Sequence, residues 1–294
     1  MKPIFFVHNQ KCGGTSFAAA LRDCSINYIP TSSINLDLTN HESIRAASCK
    51  PGTIIVGHPS HVKYKSTESA YDFFQHIYSN YKLIFPVRRP SRVILSWVFY
   101  YNTRIRKSLD NKYGTASDYR KPYTSLLKYD KKLLGFAAHL SYSTGIKLLN
   151  HHQFGINENN VTDVLIEFLK YCAFHVRGAS SHSPALNFTR NLTLPIKEFN
   201  TSIQNSMPIP PAAINKLINT LDICIFNSDK LYSCSNEHPI YDYFGDNFIE
   251  KLKCTRKNLS QYPNGTVPQY NIKKVDSFYE NLYPSEYLIF NHAI

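Results

Sequence analysis

Residues 3–21, PIFFVHNQKCGGTSFAAAL, pass from an apolar run through a pair of glycines into an alanine-rich segment. Ile4, Phe5, Phe6 and Val7 have the length and character of a buried central strand. Gly13 and Gly14 let the backbone turn tightly and bring its N–H groups close to a ligand. Thr15 or Ser16 can then cap a helix that runs through Phe17, Ala18, Ala19, Ala20 and Leu21, whose amides and dipole face the same point. Lys11 adds a cation. A strand end, a tight turn and a helix N-terminus converging in this way suit a phosphate or a sulfate.

A glycine pair also serves ordinary strand-to-helix turns, so this stretch alone does not decide function. It does exclude one common solution. The G-x-x-x-x-G-K-[ST] loop is absent because the lysine here precedes the glycines, and no apolar strand ends in an aspartate placed to hold magnesium. That argues against an ATPase or a kinase, for which Asp229 is the one weak candidate carboxylate.

Two further strand ends carry chemistry. Thr53-Ile-Ile-Val-Gly57 is an apolar strand that stops at His58 in GHPSH. In a parallel sheet His58 lies at the carboxyl edge, where open α/β sheets place their ligands, although a loop histidine also satisfies backbone groups. Lys82 to Val87 is another apolar strand, and it runs into RRPSRVILS, residues 88–96. Pro90 suits the first turn of a helix reaching to about Arg104, with Ser96 nearly two turns in. A guanidinium meets phosphate oxygens as a fork and a hydroxyl adds a donor.

Taken together these residues resemble PAPS-dependent sulfotransferases, most closely the carbohydrate enzymes of the glycosaminoglycan, Golgi-membrane type. His8, Lys11, Cys12, Gly13, Gly14, Thr15 and Ser16 match the 5′-phosphosulfate loop pattern H-x-P-K-[TC]-[GA]-[GS]-T-S, with Gln10 in place of the proline. Gly57-His58 matches the strand-end Gly-His whose histidine is the base. Val56 stands where the heparan enzymes carry a second histidine, which leaves His61 as a substitute. Arg88, Pro90, Arg92 and Ser96 match the 3′-phosphate pattern R-D-P-x-x-R-x-x-S, with Arg89 in place of the aspartate and extra positive charge as the consequence. Weaker likeness covers Asp222 to Asp229, a late strand, and residues 254–265, a basic loop closing over the cofactor with Arg256 and Lys257 as contacts.

The resemblance implies an α/β fold, a P-loop-like parallel sheet flanked by helices, as a single sulfotransferase domain over residues 1–294 with inserted or appended segments around 102–129 and 178–211. It implies 3′-phosphoadenosine 5′-phosphosulfate as co-substrate and no metal. Lys11 and His58 would be catalytic, and residues 11–16, Arg88, Ser96, Arg256 and Lys257 would bind the co-substrate. The acceptor is a hydroxyl, on a carbohydrate by the loop pattern; a tyrosine peptide or a small metabolite fits the same chemistry. A catalytically silent module holding a nucleotide or another anion is the alternative of a different class.

Composition bounds the partners. A formal charge of +12 implies an anionic partner. No basic run reaches five or six residues and no zinc-finger or RNA-recognition signature occurs, which disfavours nucleic acid. An acidic glycan suits the cations in residues 102–129. The hydrophobic fraction of 43% is that of a globular chain. Seven cysteines without a C-x-x-C pair suggest reduced thiols in a cytoplasmic protein, although the last three have the option of pairing in an oxidising compartment. No signal peptide or apolar span is evident, so a Golgi lumen location is expected only for a trimmed catalytic domain.

Helical spacing is expected over residues 66–81 with Tyr71, Phe74, Ile77 and Tyr78 as a core stripe, and over 133–149, 161–174, 212–221, 241–252 and 275–294. Residues 27–30 suggest a short strand and 178–211 a long loop or appended hairpin. Trp97, Phe99, Tyr100 and Tyr101 read mainly as core. His151 and His152 lack a spaced partner for a metal and read as loop.

Overall fold

The computed structural model describes residues 2–36, 52–64, 66–100, 156, 158–175, 184–199, 207–231, 240–254 and 267–293. Strand β1 (Ile4–Val7) leads into helix α1 (Gly14–Asp23), and β2 (Ile29–Pro30) is followed by a short 3₁₀ turn. Strand β3 (Ile54–Gly57), a second 3₁₀ turn (Pro59–His61), helix α2 (Thr67–Asn80) and strand β4 (Lys82–Val87) come next. Residues 90–100 form helix α3. Then follow α4 (Val161–His175), α5 (Asn187–Leu192), α6 (Pro211–Thr220), β5 (Ile223–Asn227), α7 (Ser228–Leu231), α8 (Tyr241–Cys254), α9 (Ile272–Leu282) and α10 (Pro284–Asn291).

The strands form one parallel sheet in the order β2-β3-β1-β4-β5. From β1 the chain runs to β2 at one edge, returns to β3 between β2 and β1, and then crosses to β4 on the other side of β1. That reversal puts the carboxyl ends of β3, β1 and β4 side by side, the position at which open α/β sheets form a crevice. Both faces are covered. Phe5 and Val7 pack with Phe73, Phe74 and Ile77 of α2 and with Ile214 and Ile289, whereas Ile4 and Phe6 pack with Phe17 and Leu21 of α1 and with Phe248 and Leu252 of α8. Period-two alternation on a strand buried on both sides explains why IFFV carries no polar residue. A third cluster joins Ile94, Leu95 and Val98 of α3 to α4, α9 and α10.

Several expected elements differ in detail. Helix α1 begins at Gly14, with Gly13 as its N-cap in the left-handed region (φ 85°), so Thr15 and Ser16 lie in the first turn and neither caps it. The segment 178–211, expected as a long loop or an appended hairpin, holds helix α5 flanked by the 3₁₀ turns Pro184–Leu186 and Lys197–Phe199, with no strand among its described residues. The C-terminal helix is two helices, because Pro284 starts a new one and disfavours helical geometry at Tyr283 before it. Helix α8 is interrupted at Gly245 (φ 71°). On α2 the buried stripe is Ala70, Phe73, Phe74, Ile77 and Tyr78, with Tyr71 only half-buried. The expected helix at 133–149, the segment 102–129, Tyr101, His151 and His152 lie outside the described residues. Among the described residues no helix is long and apolar enough to cross a membrane, and Cys12, Cys24, Cys172, Cys224 and Cys254 are free thiols.

Candidate functional site

The turn after β1 is held on both sides. The N–H of His8 continues the parallel ladder to the carbonyl of Gly57 (2.9 Å), and the N–H of Cys12 closes back on the carbonyl of Asn9 (3.2 Å). Lys11 and Gly13 both adopt positive φ, 65° and 85°; glycine takes this geometry freely, and the lysine is held in it by its neighbours. The N–H groups of Ser16 and Phe17 bond the carbonyl of Gly13 (3.0 and 3.1 Å). Those of Gly13, Gly14 and Thr15 have no acceptor among the described residues, as the opening amides of a helix are left. Thr15 is exposed, while Ser16 and Cys12 are buried; Cys12 presents backbone only, its thiol donating to the Gln10 carbonyl (3.5 Å) and pushed up in pKa by burial.

Lys11 reaches helix α3. Its Nζ lies 3.7 Å from the centre of the Tyr100 ring and 5.2 Å from that of Trp97. Two aromatic faces steer the ammonium, and among the described residues no carboxylate pairs with it, which leaves its charge available to an anion. Burial lowers its pKa to about 8. Phe99 is core, as expected; Trp97, partly buried, packs against two core clusters and also faces the lysine, while Tyr100 is partly buried and faces the lysine.

A buried polar network positions this turn. Asn9 donates to the carbonyl of Pro86 (2.7 Å) and accepts from Asn191 (2.7 Å). Asn187 donates to the carbonyl of Gln10 (2.8 Å) and accepts from its N–H (3.2 Å). Tyr78 donates to the carbonyl of Asn191. Asn187 and Asn191 stand one helical turn apart on α5, and the first turn of α5 is held by Glu286, which accepts from the N–H groups of Phe188 (3.0 Å) and Thr189 (2.7 Å). Glu286 is fully buried; burial raises its pKa to about 7 against the opposing pull of those hydrogen bonds.

At the end of β3, Gly57 has φ 147°, and a Cβ there would lie 2.1 Å from the hydroxyl of Thr31. That hydroxyl instead donates to the carbonyl of His58 (2.9 Å), which also accepts from the N–H of His61 (2.9 Å). The His58 ring stacks on His8, centroids 3.8 Å apart and planes 18° from parallel, and meets His61 edge-on at 4.8 Å. Burial, then the neighbouring His61, lowers the His58 pKa to about 4, while the backbone carbonyl of His8 opposes the shift. The ring is neutral at pH 7.

At the end of β4, Arg88 donates through Nε to Asp229 (2.9 Å), and Arg92 pairs with the other oxygen of the same carboxylate (3.4 Å). Asp229, at the start of α7, is therefore a partner of the arginines. Arg89 turns away to Asp276 (3.5 Å), itself bonded by Tyr287 (2.5 Å), so its added charge serves the C-terminal helices and not the crevice. Ser96 lies on α3 and is 9% exposed. Val56 points into the core. Arg256 and Lys257 lie outside the described residues. Among the described residues no group of three His, Cys, Asp or Glu side chains is placed to hold a metal.

Three strand ends thus bring Lys11, His58 and Arg88 to one edge of the sheet. Sequence reading missed three contributors: the role of His8, the asparagine clamp of α5, and Arg190 on α5, a largely buried cation that depresses the pKa of His58 and faces Tyr64. Only His8 carried a motif signal; the α5 residues reach the site solely through folding. No protein-family model, no curated protein and no solved structure matches this chain.

Proposed function

We propose that this protein binds 3′-phosphoadenosine 5′-phosphosulfate and transfers its sulfonyl group to an acceptor hydroxyl, on a carbohydrate in preference to a tyrosine peptide or a small metabolite. One observation carries the reading: an amide-lined turn with Lys11, a neutral His58 and the Arg88 guanidinium occupy the carboxyl ends of three adjacent parallel strands. These are the groups that an anionic sulfonyl donor and a hydroxyl nucleophile require, in the motif order of the sulfotransferases they resemble.

The chemistry is an in-line displacement, for which phosphoryl transfer is the physical analogue. The acceptor oxygen forms a bond to sulfur while the bond from sulfur to the bridging phosphate oxygen breaks. His58 takes the acceptor proton, a contribution of about 10²- to 10⁴-fold. Lys11 and the amides of Gly13 to Thr15 balance charge that develops on the departing 5′-phosphate. Arg88 and Ser96 hold the 3′-phosphate, and Asp229 keeps Arg88 extended until that phosphate competes for it. Arg256 and Lys257 belong to a basic loop assigned to the same ligand. The scheme uses no metal ion.

Calorimetric titration with adenosine 3′,5′-bisphosphate, against ATP with magnesium, tests the reading. Micromolar affinity for the bisphosphate and weak binding of ATP are expected. A preference for ATP returns the chain to the kinase class, and binding of neither removes the nucleotide altogether.

A further inference from the structure

The two glycines of the turn do different work. Gly13 is needed for its left-handed backbone, whereas Gly14 lies inside α1 and is needed for space: a Cβ there would fall 1.9 Å from Cδ2 of His8. The His8 ring therefore lies flat against the Gly14 backbone, and its other face carries the His58 ring at 3.8 Å. The order is helix backbone, imidazole, imidazole.

We infer that His8 is the positioning residue of the base, a plate wedged between Gly14 and His58 that sets the His58 ring and ties it mechanically to the anion-binding turn. The inference rests on the sulfonyl-transfer reading for its catalytic meaning, but the stack itself is independent of it. Offset aromatic faces fix orientation as well as bury area. The plate keeps water from one face of His58, so the neutral form is maintained by exclusion of solvent. It also accounts for a histidine at a position where any residue continuing the strand would satisfy the ladder. The titratable groups facing His58 are His8 on the turn after β1, His61 on the 3₁₀ turn after β3 and Arg190 on α5. Burial, then His58 and His61, lowers the His8 pKa as well, to about 3.

Two substitutions separate shape from protonation. His8→Phe keeps a flat ring and removes both ring nitrogens; His8→Ala opens the space. The His58 imidazole is followed by NMR titration in labelled protein, its signal identified by its loss in His58→Ala. In the wild type and His8→Phe the titration is expected near pH 4. In His8→Ala, and in Gly14→Ala where the added methyl displaces the plate, it moves up by about one unit or more toward the ordinary histidine value. Turnover in His8→Phe stays within about threefold of wild type, and in His8→Ala it falls about tenfold or more with little change in KM for the sulfonyl donor. An unmoved titration in a folded His8→Ala protein overturns the inference. So does a His8→Phe protein as impaired as His8→Ala, which would assign the role to the ring nitrogens. If the wild type transfers no sulfonyl group, the titrations alone decide the stack, and only the catalytic reading falls.

Discussion

Replacing Glu286 with glutamine converts a buried carboxylate into its neutral isostere while leaving an oxygen to accept from the first turn of α5. The native group has a pKa of about 7 against an ordinary 4.5, raised by burial. Because the folded value is the higher one, the folded protein binds more protons than the unfolded chain between those limits, and the stability contributed below pH 4.5 is lost as pH rises through 7. The full loss is about 3.4 kcal/mol, at about 1.4 kcal/mol per pKa unit. Linkage places about 2.5 kcal/mol of it between pH 5 and pH 8. Glutamine has no such dependence. Urea unfolding of both proteins at pH 5, 6, 7 and 8 should therefore give a difference, variant minus wild type, that grows in the variant's favour by about 2.5 kcal/mol across the series, whatever its value at pH 5. His8 and His58 act oppositely, weakening the fold as pH drops below 6.5 toward 4 and 3, but they are common to both proteins and cancel. A difference that is constant with pH would refute the reasoning, since it would mean that Glu286 does not ionise in this range.

In the free protein kcat/KM should follow a bell, with an acid limb near pH 4 from His58 and an alkaline limb near pH 8 from Lys11. Lys11→Arg should carry the alkaline limb beyond pH 10, and an unmoved limb would assign it elsewhere. Lys11→Ala should abolish turnover; near-full activity measured with a labelled sulfonyl donor would remove the turn from the mechanism. Arg88→Ala should weaken adenosine 3′,5′-bisphosphate far more than adenosine 5′-monophosphate in calorimetry, whereas equal losses would misplace the 3′-phosphate. Asp229→Asn, which frees Arg88 and Arg92 from a competing carboxylate, should tighten the bisphosphate several-fold, and weaker binding would show that Asp229 orients Arg88 and does not compete with the ligand.

The parts legible without coordinates are those whose physics is local. IFFV, IIVG and LIFPV read as strands because each is a short, wholly apolar run, which a sheet covered on both faces accommodates. The turn at residues 8–16 was legible because glycine, lysine and a helix start are adjacent in the chain. The assignment of Thr15 or Ser16 as cap failed at the same place, since a left-handed Gly13 takes that position once His8 occupies the space beside Gly14. Likewise Pro284 marked a break that continuous periodicity concealed.

What tertiary structure alone decided is the company each group keeps. His8 and His58 are separated by most of a β-α-β unit, yet their rings stack because β1 and β3 pair in parallel with Val7 opposite Gly57. Arg88 meets Asp229 because β4 and β5 pair with Val87 opposite Asn227. Asn187, Arg190, Asn191 and Glu286 carry no spacing that announces them, and they act only after α5 and α10 dock behind the turn. Hydrophobic periodicity is written along the chain, so it is readable from the chain. Electrostatic and hydrogen-bond partnership depends on distances between segments remote in sequence, and those distances exist only when the sheet has closed its register.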